Sequence, residues 1–223
     1  MMRHLIFAVL LSAAQLVMAE TRINFDDVAP SGLPEGWRSG VTGTGQAKWE
    51  VVASESASSK PNVLKQSGEA TFAWAVKADV KIRDGFAEVK FKPIGGKEDQ
   101  AGGLVFRFQD GNNYYVVRGN ALEDNVVLYK TVNGKRSSLQ VKGRMFGYGV
   151  DTKVPKGKWS TLRVEFKSSL FTVFFNGKKL FEVEDDTFKG AGAVGPWTKA
   201  DSVTLFDDFR FGNWDGSEAR QLK

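Results

Sequence analysis

The sequence predicts an all-β protein, a single antiparallel β-sandwich of the jelly-roll kind, on three observations. About a dozen short segments alternate apolar and polar residues at period two. Two Asn-Gly pairs, Asn133-Gly134 and Asn176-Gly177, stand between such segments, and no stretch after residue 19 carries the period of an amphipathic helix. Alternation at period two sends successive side chains to opposite faces, so one face packs and the other meets solvent or a ligand. No internal repeat divides the chain, which leaves one sandwich-sized domain as the economical reading.

The chain opens with basic Arg3 and His4, an apolar run from Leu5 to Val17, and small-residue punctuation at Val17-Met18-Ala19. That pattern predicts a secretory signal peptide over 1–19, cleaved after Ala19, because the apolar run is short for a membrane span and no stop-transfer segment follows. The expected domain is then 20–211, with 212–223 a polar tail, no transmembrane segment in the mature chain, and export to a bacterial periplasm or the extracellular space.

Within the domain, Ile23 to Asp27 and Trp49 to Ala53 read as short strands separated by a turn-rich passage holding Pro30, Gly32, Pro34 and Gly36. Thr71 to Ile82 carries Phe72, Trp74, Val76, Val80 and Ile82 on even positions, and Phe86 to Lys92 turns Ala87, Val89 and Phe91 inward. The stretch Ala101 to Arg136 reads as three antiparallel strands. Leu104, Phe106 and Phe108 alternate with Val105, Arg107 and Gln109; hairpin loops over 110–113 and 122–125 then add Tyr115, Val117, Gly119, Val126 and Leu128 to the apolar face. A type I′ turn needs positive φ at both central positions, so Asn133-Gly134 sets Leu128 opposite Leu139 and Val126 opposite Val141, with Lys130 the one poor fit. The glycine-rich passage 141–158 suits either a loop covering a binding face or a crossover between sheets. Leu162, Val164 and Phe166 point inward on the next strand, 170–175 is apolar on both faces and expected to be covered on both, and 190–197 and 203–211 complete the sheets.

Composition narrows the chemistry. The chain has no cysteine, and its single histidine, His4, lies in the expected signal peptide. Ser-His-Asp or Cys-His catalysis, a zinc site of the usual ligands, a haem and a disulfide are therefore excluded from the domain. The formal charge of +5 is spread among acidic residues and never concentrates in a stripe, which excludes nucleic acid as the expected partner.

Opposite the apolar face of the central stretch stand Arg107, Gln109, Tyr114, Arg118, Asn120, Tyr129 and Gln140, with Arg118 and Tyr129 expected as direct cross-strand neighbours. Such a face is either a solvated exterior or a sugar platform, since rings stack on apolar CH faces while Arg, Asn and Gln bond hydroxyls.

Residues 101–136, together with WSTLRVEFKSSLFTVFFNGKKLFEVEDDTF from Trp159 and GAVGPWTKADSVTLFDDFRF from Gly190, resemble the 3-keto-disaccharide hydrolase-like domain of the concanavalin A-like lectin/glucanase superfamily. The resemblance implies an exported, carbohydrate-related protein whose ligand lies on the concave sheet, with Arg118, Asn120 and Glu123 from RGNALEDN and Trp197, Lys199 and Asp201 from GPWTKADS as site positions. It also departs from laminarinase-type glucanases: their E-x-D-x-x-E motif is absent, and Glu182 to Asp186 has the wrong spacing.

Two carboxylates, Asp27 and Asp207, share parity with apolar neighbours at opposite ends of the domain. The resemblance implies adjacent first and last strands, so the pair could hold a structural calcium ion; a β-bulge at Asp207-Asp208 or capping by turn amides is the alternative. The expected function is an exported sugar-binding sandwich, a glycan or keto-disaccharide hydrolase in form, holding the ring with Arg107, Gln109, Arg118, Asn120, Tyr129, Trp197 and Lys199. Glu123, Asp124 and Asp201 are the acids available for catalysis. The alternative is a non-catalytic sugar- or protein-binding module at the cell surface or in the periplasm.

Overall fold

A computed structural model describes residues 20–214; the expected signal peptide and residues 215–223 of the expected tail lie outside them. Sixteen strands, numbered in chain order, form two eight-stranded antiparallel sheets, with no helix among the described residues. Sheet I runs β14 (Lys178–Glu184), β13 (Leu170–Phe175), β12 (Ser160–Lys167), β6 (Gly85–Gly95), β16 (Val203–Asn213), β4 (Asn62–Gln66) and β3 (Trp49–Ala53), with β1 (Glu20–Ile23) also on β16. Sheet II runs β10 (Lys135–Ser138), β9 (Asn125–Val132), β8 (Asn113–Asn120), β7 (Ala101–Asp110), β15 (Gly192–Ala200), β5 (Glu69–Ile82) and β2 (Trp37–Gln46), with β11 (Val150–Asp151) also on β9. The two sheets make the expected jelly-roll sandwich.

The core lies between them. Val89, Phe91, Val164 and Phe166 of sheet I meet Leu104, Phe106, Tyr115 and Val117 of sheet II, all fully buried. Phe106 anchors the contact, with ring centroids 5.0 Å from Phe166 and 5.2 Å from Phe171. Burying each such side chain stabilises the fold by about 1.5–3 kcal/mol.

Both Asn-Gly turns form as expected, with positive φ at Asn133, Gly134, Asn176 and Gly177. Leu139 faces Leu128 through a backbone bond of 2.9 Å. Beyond it the chain leaves the sheet: Val126 pairs with Val150 of β11, and Val141 bridges to Val183 instead. Lys130 stays on the core side of β9 because Asp185 neutralises it at 2.8 Å.

Bulges overturn parity at three places, since one extra residue sends every following side chain to the other face. In β7 the register against β15 slips by one residue between Val105, opposite Gly195, and Phe108, opposite Ala193, and Arg107 takes a positive φ of 45°. Phe108 therefore leaves the core for the outer face of sheet II, while Arg107 turns inward over Phe171. In β5 the register shifts between Lys77 and Ile82, so Ala73 and Ala75 line the core and the larger Trp74 and Val76 lie on the outer face. In β16 the shift falls between Asp207 and Arg210, which puts Phe206, Phe209 and Phe211 in the core and both Asp207 and Asp208 outside it.

Three element boundaries also differ from expectation. β1 ends at Ile23, where Phe25 begins a turn at φ 64°; the glycine-rich Trp37–Gln46 is an edge strand; and Gly212 and Asn213 continue β16 against Phe86 and Gly85. β13 is fully buried on one face only, through Phe171, Val173 and Phe175, while Leu170, Thr172 and Phe174 on the other face are half-buried.

Candidate functional site

The outer face of sheet II carries its own layer of side chains. β8 presents Tyr114, Val116, Arg118 and Asn120 there, paired respectively with Thr131, Tyr129, Val127 and Asn125 of β9; Thr131 then pairs with Arg136 of β10. Arg118 and Tyr129 are diagonal rather than direct neighbours. Small Val127 opposite Arg118 leaves the long side chain room to reach across, and its Nη2 donates to the Tyr129 hydroxyl at 2.9 Å.

Arg118 is the centre of this layer. Its guanidinium, 1% exposed, also donates to Asn125, to Glu123 Oε2 at 2.8 Å and to the Tyr148 hydroxyl at 3.2 Å. Glu123 accepts further bonds from Asn120 Nδ2 at 2.9 Å and Asn125 Nδ2 at 3.1 Å. Burial raises the Glu123 carboxyl, but Arg118 and Asn125 outweigh it and hold the group below the usual carboxylate range. Burial pushes the Tyr129 phenol well above its ordinary value. Asn120 also donates to Asp99 at 2.6 Å, and Asp99 pairs with Lys199.

An aromatic platform adjoins the polar cluster. Trp197 is fully buried and stacks on Phe72 with centroids 5.5 Å apart. Arg136 lies 4.2 Å from the ring centre of Tyr129, 4.3 Å from that of Phe72 and 5.5 Å from that of Trp197. A cleft of about 520 Å³ opens beside it, lined by Phe72, Lys199, Glu98 and Thr71 among others.

The passage after Val141 borders the same face. Tyr148 bonds both Tyr129 and Arg118, while Met145 and Phe146 are 84% and 83% exposed. β11 then returns the chain to Val126, so the passage is held at the rim of the face.

Several polar atoms of this layer are unpaired. Arg118 Nε, Thr131 Oγ1, Arg136 Nη1, Trp74 Nε1 and Trp197 Nε1 are buried without a hydrogen-bond partner. A buried donor left unbonded costs about 1–3 kcal/mol.

The structure thus brings together Arg118, Asn120, Glu123, Tyr129, Trp197 and Lys199. Others fall elsewhere. Arg107 is spent inside the sandwich edge, donating to the carbonyls of Arg83 at 2.8 Å, Phe188 at 2.9 Å and Ser168 at 2.7 Å and to Asp84 at 3.2 Å. Gln109 follows the bulge and donates to the Arg107 and Ala191 carbonyls. Asp124 sits in the β8–β9 turn with φ 49°, bonded to Lys153 at 2.6 Å and the Val154 amide at 3.1 Å. Asp201 accepts the amides of Lys97, Glu98 and Asp99 and so ties down the loop that presents Asp99.

The Lys153 bond, with the Val154 amide, lowers the Asp124 carboxyl; at Asp201 burial opposes but the three amides prevail. With Glu123 also below the usual range, none of the three expected acids is held protonated for general-acid work. Arg136, Phe72 and Trp74 were missed from the sequence. Arg136 was legible as the second residue after the Asn133-Gly134 turn, which places it opposite Thr131 on the outer face.

The two carboxylates of the expected calcium pair stand in different surroundings. Asp27 is exposed, whereas Asp207 is buried and accepts the Ser59 amide at 2.8 Å, the Ser59 hydroxyl at 2.9 Å and the Asp208 amide at 2.7 Å. The bulge at Asp207-Asp208 removes the inward carboxylate from which the pair was argued, and Asp208 turns to Lys90 and Arg22. No group of three or more His, Cys, Asp or Glu among the described residues is placed to hold a metal ion.

Fold and face together define a two-sheet jelly roll with an organised polar and aromatic layer on one sheet. The chain belongs to the 3-keto-alpha-glucoside-1,2-lyase-like domain family, whose sequence profile matches residues 25–205. No curated protein matches it. Among solved structures it resembles a family-66 carbohydrate-binding module from Bacillus subtilis, at 19% identity and TM-score 0.62, over 78% of this chain and 94% of that one. Domain 4 of an extracellular arabinanase from Geobacillus stearothermophilus, solved with arabinotriose, matches at 16% identity and TM-score 0.57, over 87% and 92%. A β-glucanase from Bacillus licheniformis matches at 9% identity and TM-score 0.53, over 88% and 97%.

Proposed function

We propose that this protein is an exported carbohydrate-binding domain, acting in the periplasm or outside the cell, and that the sugar lies on the outer face of sheet II. The observation that carries the reading is the Arg118 cluster: a buried guanidinium fixed by Glu123, Asn125, Tyr129 and Tyr148, beside Asn120 and the Trp197 platform. Fixed donors and acceptors suit hydroxyls, and exposed Phe146 and Tyr148 supply rings for the CH faces of a pyranose. Family membership and the two carbohydrate-binding neighbours support the same ligand class.

Cleavage of a keto-disaccharide is the second reading, favoured by the family match. In it the ionised Glu123 takes the proton from the carbon beside the keto group, the neighbouring glycosidic C–O bond breaks as the C=C bond forms, and the departing oxygen takes a proton from water. A glycan panel followed by product analysis on each bound sugar separates the readings. Binding without turnover favours the module. Turnover lost in Glu123→Gln favours the enzyme, and absence of binding to any glycan removes both.

A further inference from the structure

We infer that the sugar bound on this face is acidic, its carboxylate or sulfate ester taking the charge of Arg136; this rests on the carbohydrate reading above. Around the Tyr129 ring the charges do not balance. Arg118 is answered by Glu123 and Lys199 by Asp99, but among the described residues Arg136 makes no salt bridge and no side-chain hydrogen bond, and its Nη1 is buried and unbonded. Its surroundings are rings and a like charge: Phe72, Tyr129 and Trp197 lie around it, and Arg118 shares the Tyr129 ring at 5.7 Å.

Aromatic contact partly offsets the desolvation of a guanidinium but offers it no acceptor. Its neighbour across the strand pair, Thr131, is likewise buried with its hydroxyl unbonded, so the unsatisfied groups are adjacent. Two arginines and one carboxylate gathered around Tyr129 give this part of the face an excess positive charge in a partly dry setting, where an incoming anion is held more strongly than in water. The planar fork of an arginine matches a carboxylate or a sulfate through two parallel bonds. A sugar acid is favoured over an acidic peptide because Asn120, Glu123 and Tyr148 beside the arginines supply the mixed donors and acceptors that ring hydroxyls need.

The test is calorimetry on the full chain with an oligogalacturonate, a sulfated galactan oligosaccharide, a neutral galacto-oligosaccharide of matched length, and polyglutamate. The expected result is binding of one acidic sugar at least about tenfold tighter than the neutral one, a preference that disappears in Arg136→Met. Which acidic sugar binds decides between carboxylate and sulfate. Neutral sugar bound as tightly as both acidic ones, or acidic affinity unchanged in Arg136→Met, overturns the inference and leaves the carbohydrate reading standing. Polyglutamate bound more tightly than every sugar overturns it too, and no sugar binding at all removes both. The comparison of ligands on the wild-type chain decides the matter even if the variant fails to fold.

Discussion

Replacing Asp185 by asparagine tests how the edge of the sandwich accommodates a lysine on a core-facing position. Asp185 is 11% exposed and accepts from Tyr115 Oη at 2.6 Å, Lys130 Nζ at 2.8 Å and the Thr187 amide at 2.9 Å. Burial works to raise its carboxyl, but Lys130, Thr187 and Tyr115 prevail and draw it down from 3.8 to about 2. A depressed carboxylate stabilises the fold above its unfolded value, and that contribution is lost as pH falls through the folded one. The shift corresponds to about 2 kcal/mol, fully present above roughly pH 5, with about 1.5 kcal/mol of it gone by pH 2.5. Urea unfolding of the wild type and Asp185→Asn from pH 6 to 2.5 measures the difference directly. The two curves should run parallel above pH 5 and converge below pH 4. A difference that stays constant across the whole range refutes the ionic role assigned to Asp185.

Further outcomes follow from the same geometry. Arg118→Met should destabilise the domain by about 1–3 kcal/mol, read by urea midpoint, because buried Asn125 and Tyr129 lose their hydrogen bonds to the guanidinium; the loss of the Glu123 ion pair adds little, its carboxylate being 37% exposed. Asp201→Ala should cost about 1–2 kcal/mol by freeing the loop at 97–99, and should weaken sugar binding through Asp99 and Lys199 rather than abolish it. Melting temperature should be the same in chelator and in added calcium, since Asp207 is already saturated by Ser59 and Asp208.

Much of the architecture was readable from local chemistry. Asn133-Gly134 and Asn176-Gly177 could hardly be other than type I′ turns, and alternation in Phe86 to Lys92 and Trp159 to Lys167 assigned the core face correctly. What period-two reading could not supply is the position of a bulge, because the extra residue at Arg107 or Asp208 leaves no mark on apolar alternation until its partner strand is known. That single limit explains why Arg107 was expected on the ligand face and Asp207 in the core. β5 misled for a related reason: its large residues face outward and its alanines inward, the reverse of the usual assignment by size. The cluster of Arg118, Asn120 and Glu123 was legible because all three lie within one hairpin, where register is short-range. The turn at Asn133-Gly134 places Arg136 on the outer face, but its want of a counter-ion among the described residues is a property of three-dimensional neighbours.

The central claim is that the outer face of sheet II is the ligand surface. Amide chemical-shift mapping of the labelled chain, titrated with whichever oligosaccharide binds, tests it most directly. The account predicts shifts concentrated at 114–120, 125–136 and 142–149 and at the Trp197 indole, with sheet I silent. Shifts confined to sheet I, or to the cavity beside Arg107 and Asp84, would contradict it.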